Sequence, residues 1–128
     1  RFLPFQPRER LSEVQATSDV SLVTLAPGRG KTSVPSKVLG YMAAARPVIA
    51  AVDEGCDTAD LIRTSGCGLA VPPGQGDDLA EAILQFYGNP KERLMRGEAG
   101  HRHFLQHFER RTVLKHYIDT IQNMLEPS

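Results

Sequence analysis

Ser36 and Lys37 follow Pro35 directly, and helix-forming residues run on from them to Ala44. Proline suits a helix's first turn, where its missing N–H has no partner to lose. Ser36 and Lys37 then lie in that turn. Its free backbone N–H groups and the positive end of the helix dipole attract anions. A hydroxyl and an ammonium are added to that field, so the chemistry is phosphate binding. The candidate residues are Val34, Pro35, Ser36 and Lys37, with Gly40 and Tyr41 further along the same helix.

A second phosphate motif lies just upstream. Gly30-Lys31-Thr32 follows an apolar run and has the ending of a P-loop, and Val48 to Glu54 reads as an apolar strand ending in an acid that could hold magnesium. Three features oppose it. Leu25 stands where the first glycine of the loop belongs. Pro35 comes four residues after Lys31, where a P-loop helix is already running. The acidic strand also follows too closely. A P-loop ATP- or GTP-binding fragment is kept as the alternative.

Other reactive side chains are weaker candidates. His103 and His107 are one helical turn apart and His101 is close, but no cysteine or carboxylate completes a zinc set, so a solvated helix face is expected and no metal site. Arg102, Arg110, Arg111 and Lys115 alternate with Glu109 and Asp119 and read as exposed helix surface. Asp57 and Asp77 read as helix N-caps. Asp53 and Glu54 read as a turn at the carboxyl end of a strand.

The elements that position these residues alternate. Phe2–Phe5, Val20–Leu25, Val48–Val52 and Gly68–Val71 are short, mostly continuous apolar runs, as in strands buried on both faces. Helical patterns separate them, over 8–17, 35–44 and 57–64, and another follows Asp77. This order implies parallel βαβ units with right-handed crossovers. The fold class is α/β, a Rossmann-like doubly wound parallel sheet. Residues 1–88 form that domain. Residues 89–128 form a C-terminal helical extension packing on it, with Leu114, Ile118, Ile121 and Leu125 as an apolar stripe. Ligands bind beyond the carboxyl ends of such strands, where the Pro35 helix begins.

The totals set limits. The chain has 128 residues, 15 Lys+Arg against 15 Asp+Glu, and 41% apolar residues. This suits one globular core and gives no argument for a nucleic-acid partner. Cys56 and Cys67 form neither a disulfide framework nor a CxxC site, and reduced cytoplasmic thiols are expected. No run is long enough to span a bilayer and none reads as a signal peptide. The sequence opens inside a strand-like run without an initiator Met, as a fragment of a longer protein does.

The segment Ser33, Pro35-Ser36-Lys37, Tyr41-Met42-Ala43-Ala44, Arg46-Pro47-Val48-Ile49-Ala50 resembles the C-terminal donor-binding half of GT-B glycosyltransferases, in particular the family 4 retaining enzymes. Ser18 to Val23, Gly66 to Gly74 with Asp78 to Ile83, and the tail around Tyr117 resemble further stretches in the same order. The resemblance covers nearly the whole chain. It implies the nucleotide-sugar-binding half of an enzyme of surface-polysaccharide or lipopolysaccharide assembly. The donor is a UDP- or GDP-sugar, and no cofactor or metal is required. The acceptor, a glycan or lipid-linked sugar, is bound by an absent N-terminal domain. The location is cytoplasmic, with peripheral association at the inner face of the membrane as an option. Ser36 and Lys37 hold the pyrophosphate, and the base lies near Phe5 and Gln6. A nucleotide-binding regulatory module on the same fold is the non-enzymatic reading.

The sequence departs from that pattern. Many family 4 enzymes carry two glutamates where Thr32 and Gly40 stand, so ribose recognition is lost or supplied elsewhere. Glycine is usual where Ala45 stands, and a left-handed alanine there costs about 1 kcal/mol. The domain lacks its first strand and helix, and no catalytic residue is assigned.

Overall fold

In a computed structural model, the structure describes residues 3–28 and 34–125. A single 3-10 turn at Arg8–Arg10 leads into α1 (Leu11–Ala16). There follow β1 (Ser21–Thr24), α2 (Ser36–Ala43), β2 (Val48–Ala51), α3 (Asp57–Ser65) and β3 (Gly68–Val71). Three helices close the chain: α4 (Gly76–Gly88), α5 (Pro90–His107) and α6 (Arg110–Leu125). The three strands form a parallel sheet in the order β1-β2-β3, with Ser21 opposite Val48 and Val48 opposite Gly68.

β2 is the apolar run Val48-Ile49-Ala50-Ala51, and all four residues are buried. Side chains alternate across a strand. Val48 and Ala50 therefore join Val38 and Met42 of α2 and Ala59 and Ile62 of α3 in one core. Ile49 joins Ala82 and Phe86 of α4 in a second core on the opposite face. Helices thus cover both faces of β2, while Leu22 on β1 stays exposed, and the fold is an α/β, Rossmann-like arrangement.

Leu3 to Phe5 form no strand, and Phe5 is fully exposed (Phe2 lies outside the described residues). A strand needs a ladder for its backbone groups, and among the described residues none stands beside this run. The helix starts also differ from the sequence reading. Pro35 is the N-cap of α2, with extended ψ of 131°, rather than its first residue. α3 is capped by the Sγ of Cys56, which accepts from the Ala59 N–H at 3.4 Å, and Asp57 is its first residue. Gln75 precedes α4 without a side-chain cap, and Asp77 lies inside the first turn. In α5, Pro90 opens the helix, and Asn89 Oδ1 accepts from the Glu92 N–H at 3.1 Å.

α5 packs against α2, α3 and β3. Arg96 donates to the Gly68 carbonyl at 3.0 Å and to Glu92 Oε1 at 2.9 Å, holding the Glu92 carboxyl below its ordinary range. Arg93 donates to the carbonyls of Phe86 and Tyr87 at the end of α4. Two glycines permit the close approach of α5. A Cβ on Gly97 meets the Ala45 carbonyl oxygen at 2.2 Å, and one on Gly100 meets Cys67 Cβ at 2.6 Å.

The turn under Gly97 closes α2. Arg46 N–H donates to Tyr41 O and Ala45 N–H to Met42 O, both at 3.0 Å, as in a Schellman motif. Ala45 has φ of 55°, the left-handed conformation that glycine adopts freely. Ala45→Gly is expected to raise the urea unfolding free energy by about 1 kcal/mol, less the extra flexibility glycine gives the unfolded chain. Gly97→Ala is expected to lower it by about 1–3 kcal/mol, because the obstructing atom is backbone and cannot rotate away. Gly88→Ala, with open space around it, is the control for both measurements.

Candidate functional site

The N-terminus of α2 lies beyond the carboxyl end of β1, with Ser36 and Lys37 exposed in its first turn. Pro35 has no N–H and no capping side chain, so among the described residues nothing local satisfies the first amides of the helix except the Val38 N–H bond to Pro35 O at 3.0 Å. The first turn holds no acid, whereas α3 carries Asp57 and Asp60 and α4 carries Asp77 and Asp78. No acid in the first turn therefore offsets the positive end of α2, and the Lys37 ammonium adds to it.

This helix end opens onto a groove of ≈ 640 Å³ between α1, β1 and α2. Ser36, Lys37, Gly40 and Tyr41 line it from α2, and Leu11, Val14 and Gln15 from α1. Val34 and Tyr41 also pack on the core and fix the helix from below. The structure thus brings together Ser36, Lys37, Gly40 and Tyr41. Phe5 and Gln6 line a different groove of ≈ 620 Å³, which shares only Leu11 and Val14 with the first. The Gln6 side chain turns back to the Pro4 carbonyl at 2.9 Å.

Two residues of the site were not singled out by the sequence for the parts they play. The amide of Gln15 sits over Gly40, its Nε2 only 2.8 Å from where a Cβ would stand. Asp53, at the end of β2, accepts the Gly28 N–H at 2.7 Å and ties the loop after β1 to the neighbouring strand. Both contacts join parts of the chain far apart in sequence, and no local pattern announces them. Gly30, Lys31, Thr32 and Ser33 lie outside the described residues.

The sequence model of the family described as "Glycosyl transferases group 1" matches residues 1–89. The chain belongs to the group 1 glycosyl transferases. As a member of that family it is 38% identical over 68 residues to a Pseudomonas aeruginosa protein described as "Probable glycosyltransferase WbjE". That match spans 53% of the present chain and 17% of the relative. No solved structure gives a significant match. Within this group 1 chain, no helix of the described residues is long and apolar enough to cross a membrane.

The histidines of α5 lie elsewhere. Among the described residues no group of three or more His, Cys, Asp or Glu is placed to hold a metal ion. The rings of His103 and His107 are 4.4 Å apart. His101 departs from the solvated face read from sequence: its Nδ1 is buried without a hydrogen-bond partner among the described residues. Partial burial, with repulsion from His107 added, holds His103 below its ordinary value of 6.5. The folded chain thus takes up this proton less readily than the unfolded chain. Its contribution to stability is full above the ordinary value and is lost as the pH falls through the depressed one. Urea midpoints measured between about pH 7.5 and about pH 5 should fall more for the wild type than for His103→Gln. An equal fall in both proteins assigns the acid sensitivity elsewhere.

Proposed function

We propose that this chain is the nucleotide-sugar-binding part of a retaining GT-B glycosyltransferase of family 4, with the donor pyrophosphate at the start of α2. The observation that carries this reading is the helix end without an acid in its first turn, with Ser36 and Lys37 there, opening onto a groove that runs beside β1. Backbone N–H groups and the Ser36 hydroxyl donate to phosphate oxygens, and Lys37 supplies the charge. As the sugar leaves, negative charge grows on the diphosphate. The same donors then stabilise it without reorganising. Membership of the group 1 family supports a nucleotide-sugar donor. The resemblance to an enzyme described as a glycosyltransferase supports transfer of the sugar to an acceptor.

On this reading residues 1–88 form the donor domain and 89–128 the helical extension. The acceptor, a glycan or lipid-linked sugar of surface-polysaccharide assembly, is held by a separate N-terminal domain. On the same reading the enzyme works in the cytoplasm, with peripheral association at the inner face of the membrane as an option.

Titration calorimetry with UDP, GDP and ATP tests the anchor. Lys37→Ala is expected to weaken diphosphate binding about tenfold or more, and Lys31→Ala to leave it unchanged. Binding should persist in EDTA. The reverse pattern, with magnesium required, selects the P-loop at Gly30-Lys31-Thr32.

A further inference from the structure

Resting on that reading of α2 as a phosphate anchor, we propose that the side-chain amide of Gln15 is a ligand contact that recognises the ribose hydroxyls of the bound nucleotide. Position 40 is a glycine, and the space its side chain would take is filled from across the groove. Gln15 Nε2 stands 2.8 Å and Oε1 3.4 Å from an ideal Cβ at Gly40. This amide has a hydrogen-bond donor and an acceptor, and no hydrogen bond engages it among the described residues. It lines the same groove as Ser36, Lys37 and Tyr41. A half-buried amide left unbonded is a poor use of two polar groups, and a ligand with hydroxyls supplies both partners.

The spacing selects which hydroxyls. Gly40 lies four residues after Ser36 on α2, and a helix rises about 1.5 Å per residue, so the amide sits about 6 Å from the phosphate anchor along the axis. In a nucleoside diphosphate the group joined directly to the α-phosphate is ribose. With the phosphates at the helix start and the nucleoside along the groove, the 2′ and 3′ hydroxyls fall opposite Gln15. Nε2 donates to one hydroxyl oxygen and Oε1 accepts from the other. The glycine is needed because any side chain at 40 displaces the amide. The displacement itself is cheap, since the obstructing atom is the free end of a flexible side chain.

The test is calorimetry on the protein with three probes. These are inorganic pyrophosphate, whichever of UDP or GDP binds more tightly, and the 2′,3′-dideoxy form of that nucleotide. The wild type is expected to prefer the hydroxyl-bearing nucleotide over the dideoxy form by about tenfold, from two hydrogen bonds. In Gln15→Ala that preference collapses towards one, the nucleotide binds about fivefold to tenfold more weakly, and pyrophosphate binding does not change. Gly40→Ala, which leaves Gln15 in place but pushes its amide aside, reduces the preference without lowering the melting temperature. Normal pyrophosphate binding with an undiminished preference in Gln15→Ala overturns the hydroxyl role and leaves the phosphate anchor standing. Failure of the wild type to bind pyrophosphate, or binding indifferent to Lys37→Ala, overturns the anchor and the hydroxyl role with it.

Discussion

Burial of β2 on both faces is the constraint from which the other elements take their places. A strand of four small and branched apolar residues cannot face water on either side. Each face therefore needs a helical layer, and each edge needs a partner strand for the backbone groups. The partners are β1 and β3. The layers are α2 and α3 on one side and α4 on the other. α2 packs through Val38 and Met42, which lie on its inner face, and this turns Ser36 and Lys37 outward at the strand's carboxyl end. The position of the anion-attracting helix end is thus a by-product of core packing around β2.

The same packing makes the back of α2 rigid. Its last turn is closed by a left-handed alanine and pressed by a helix that comes within backbone contact at Gly97. Local strain at Ala45 is tolerated because Tyr41 and Met42 carbonyls, Pro47 and α5 surround the turn. A helix held this firmly at its C-terminus presents its N-terminus in one orientation. Preorganisation of that kind is what electrostatic binding of a diphosphate requires, since donors already in place do not have to be ordered by the ligand.

Much of this was legible in the residues. Continuous apolar runs separated by helical spacing specify a parallel α/β sheet, but only the Val48 run is buried on both faces; β1 and β3 are edge strands with one partner each, and Leu22 and Ala70 are exposed. The left-handed helix end at Ala45 was anticipated only through the family resemblance, in which glycine is usual there. What escaped was non-local. Leu3 to Phe5 have strand composition, yet composition alone does not provide a neighbour to pair with. Asp57 and Asp77 have the right chemistry to cap helices, but Cys56 and Gln75 occupy those positions, since a helix boundary can move by a residue when packing fixes its body. Within the site, the grouping of Ser36 with Lys37 follows from adjacency. Gln15 over Gly40 does not, because it depends on how α1 crosses α2.

The parallel sheet has a kinetic consequence. None of its strands is joined to its partner by a hairpin, and each pairing spans a whole helix and two loops. The ladder therefore cannot zip from a local turn. Closing either crossover costs loop entropy before any strand contact repays it. α2 and α3 shorten the path when they form first, and β2 is the strand both closures need. Substitutions in β2 should then act mainly on the rate of folding, whereas those where α5 docks on Ala45 and Cys67 should act mainly on the rate of unfolding.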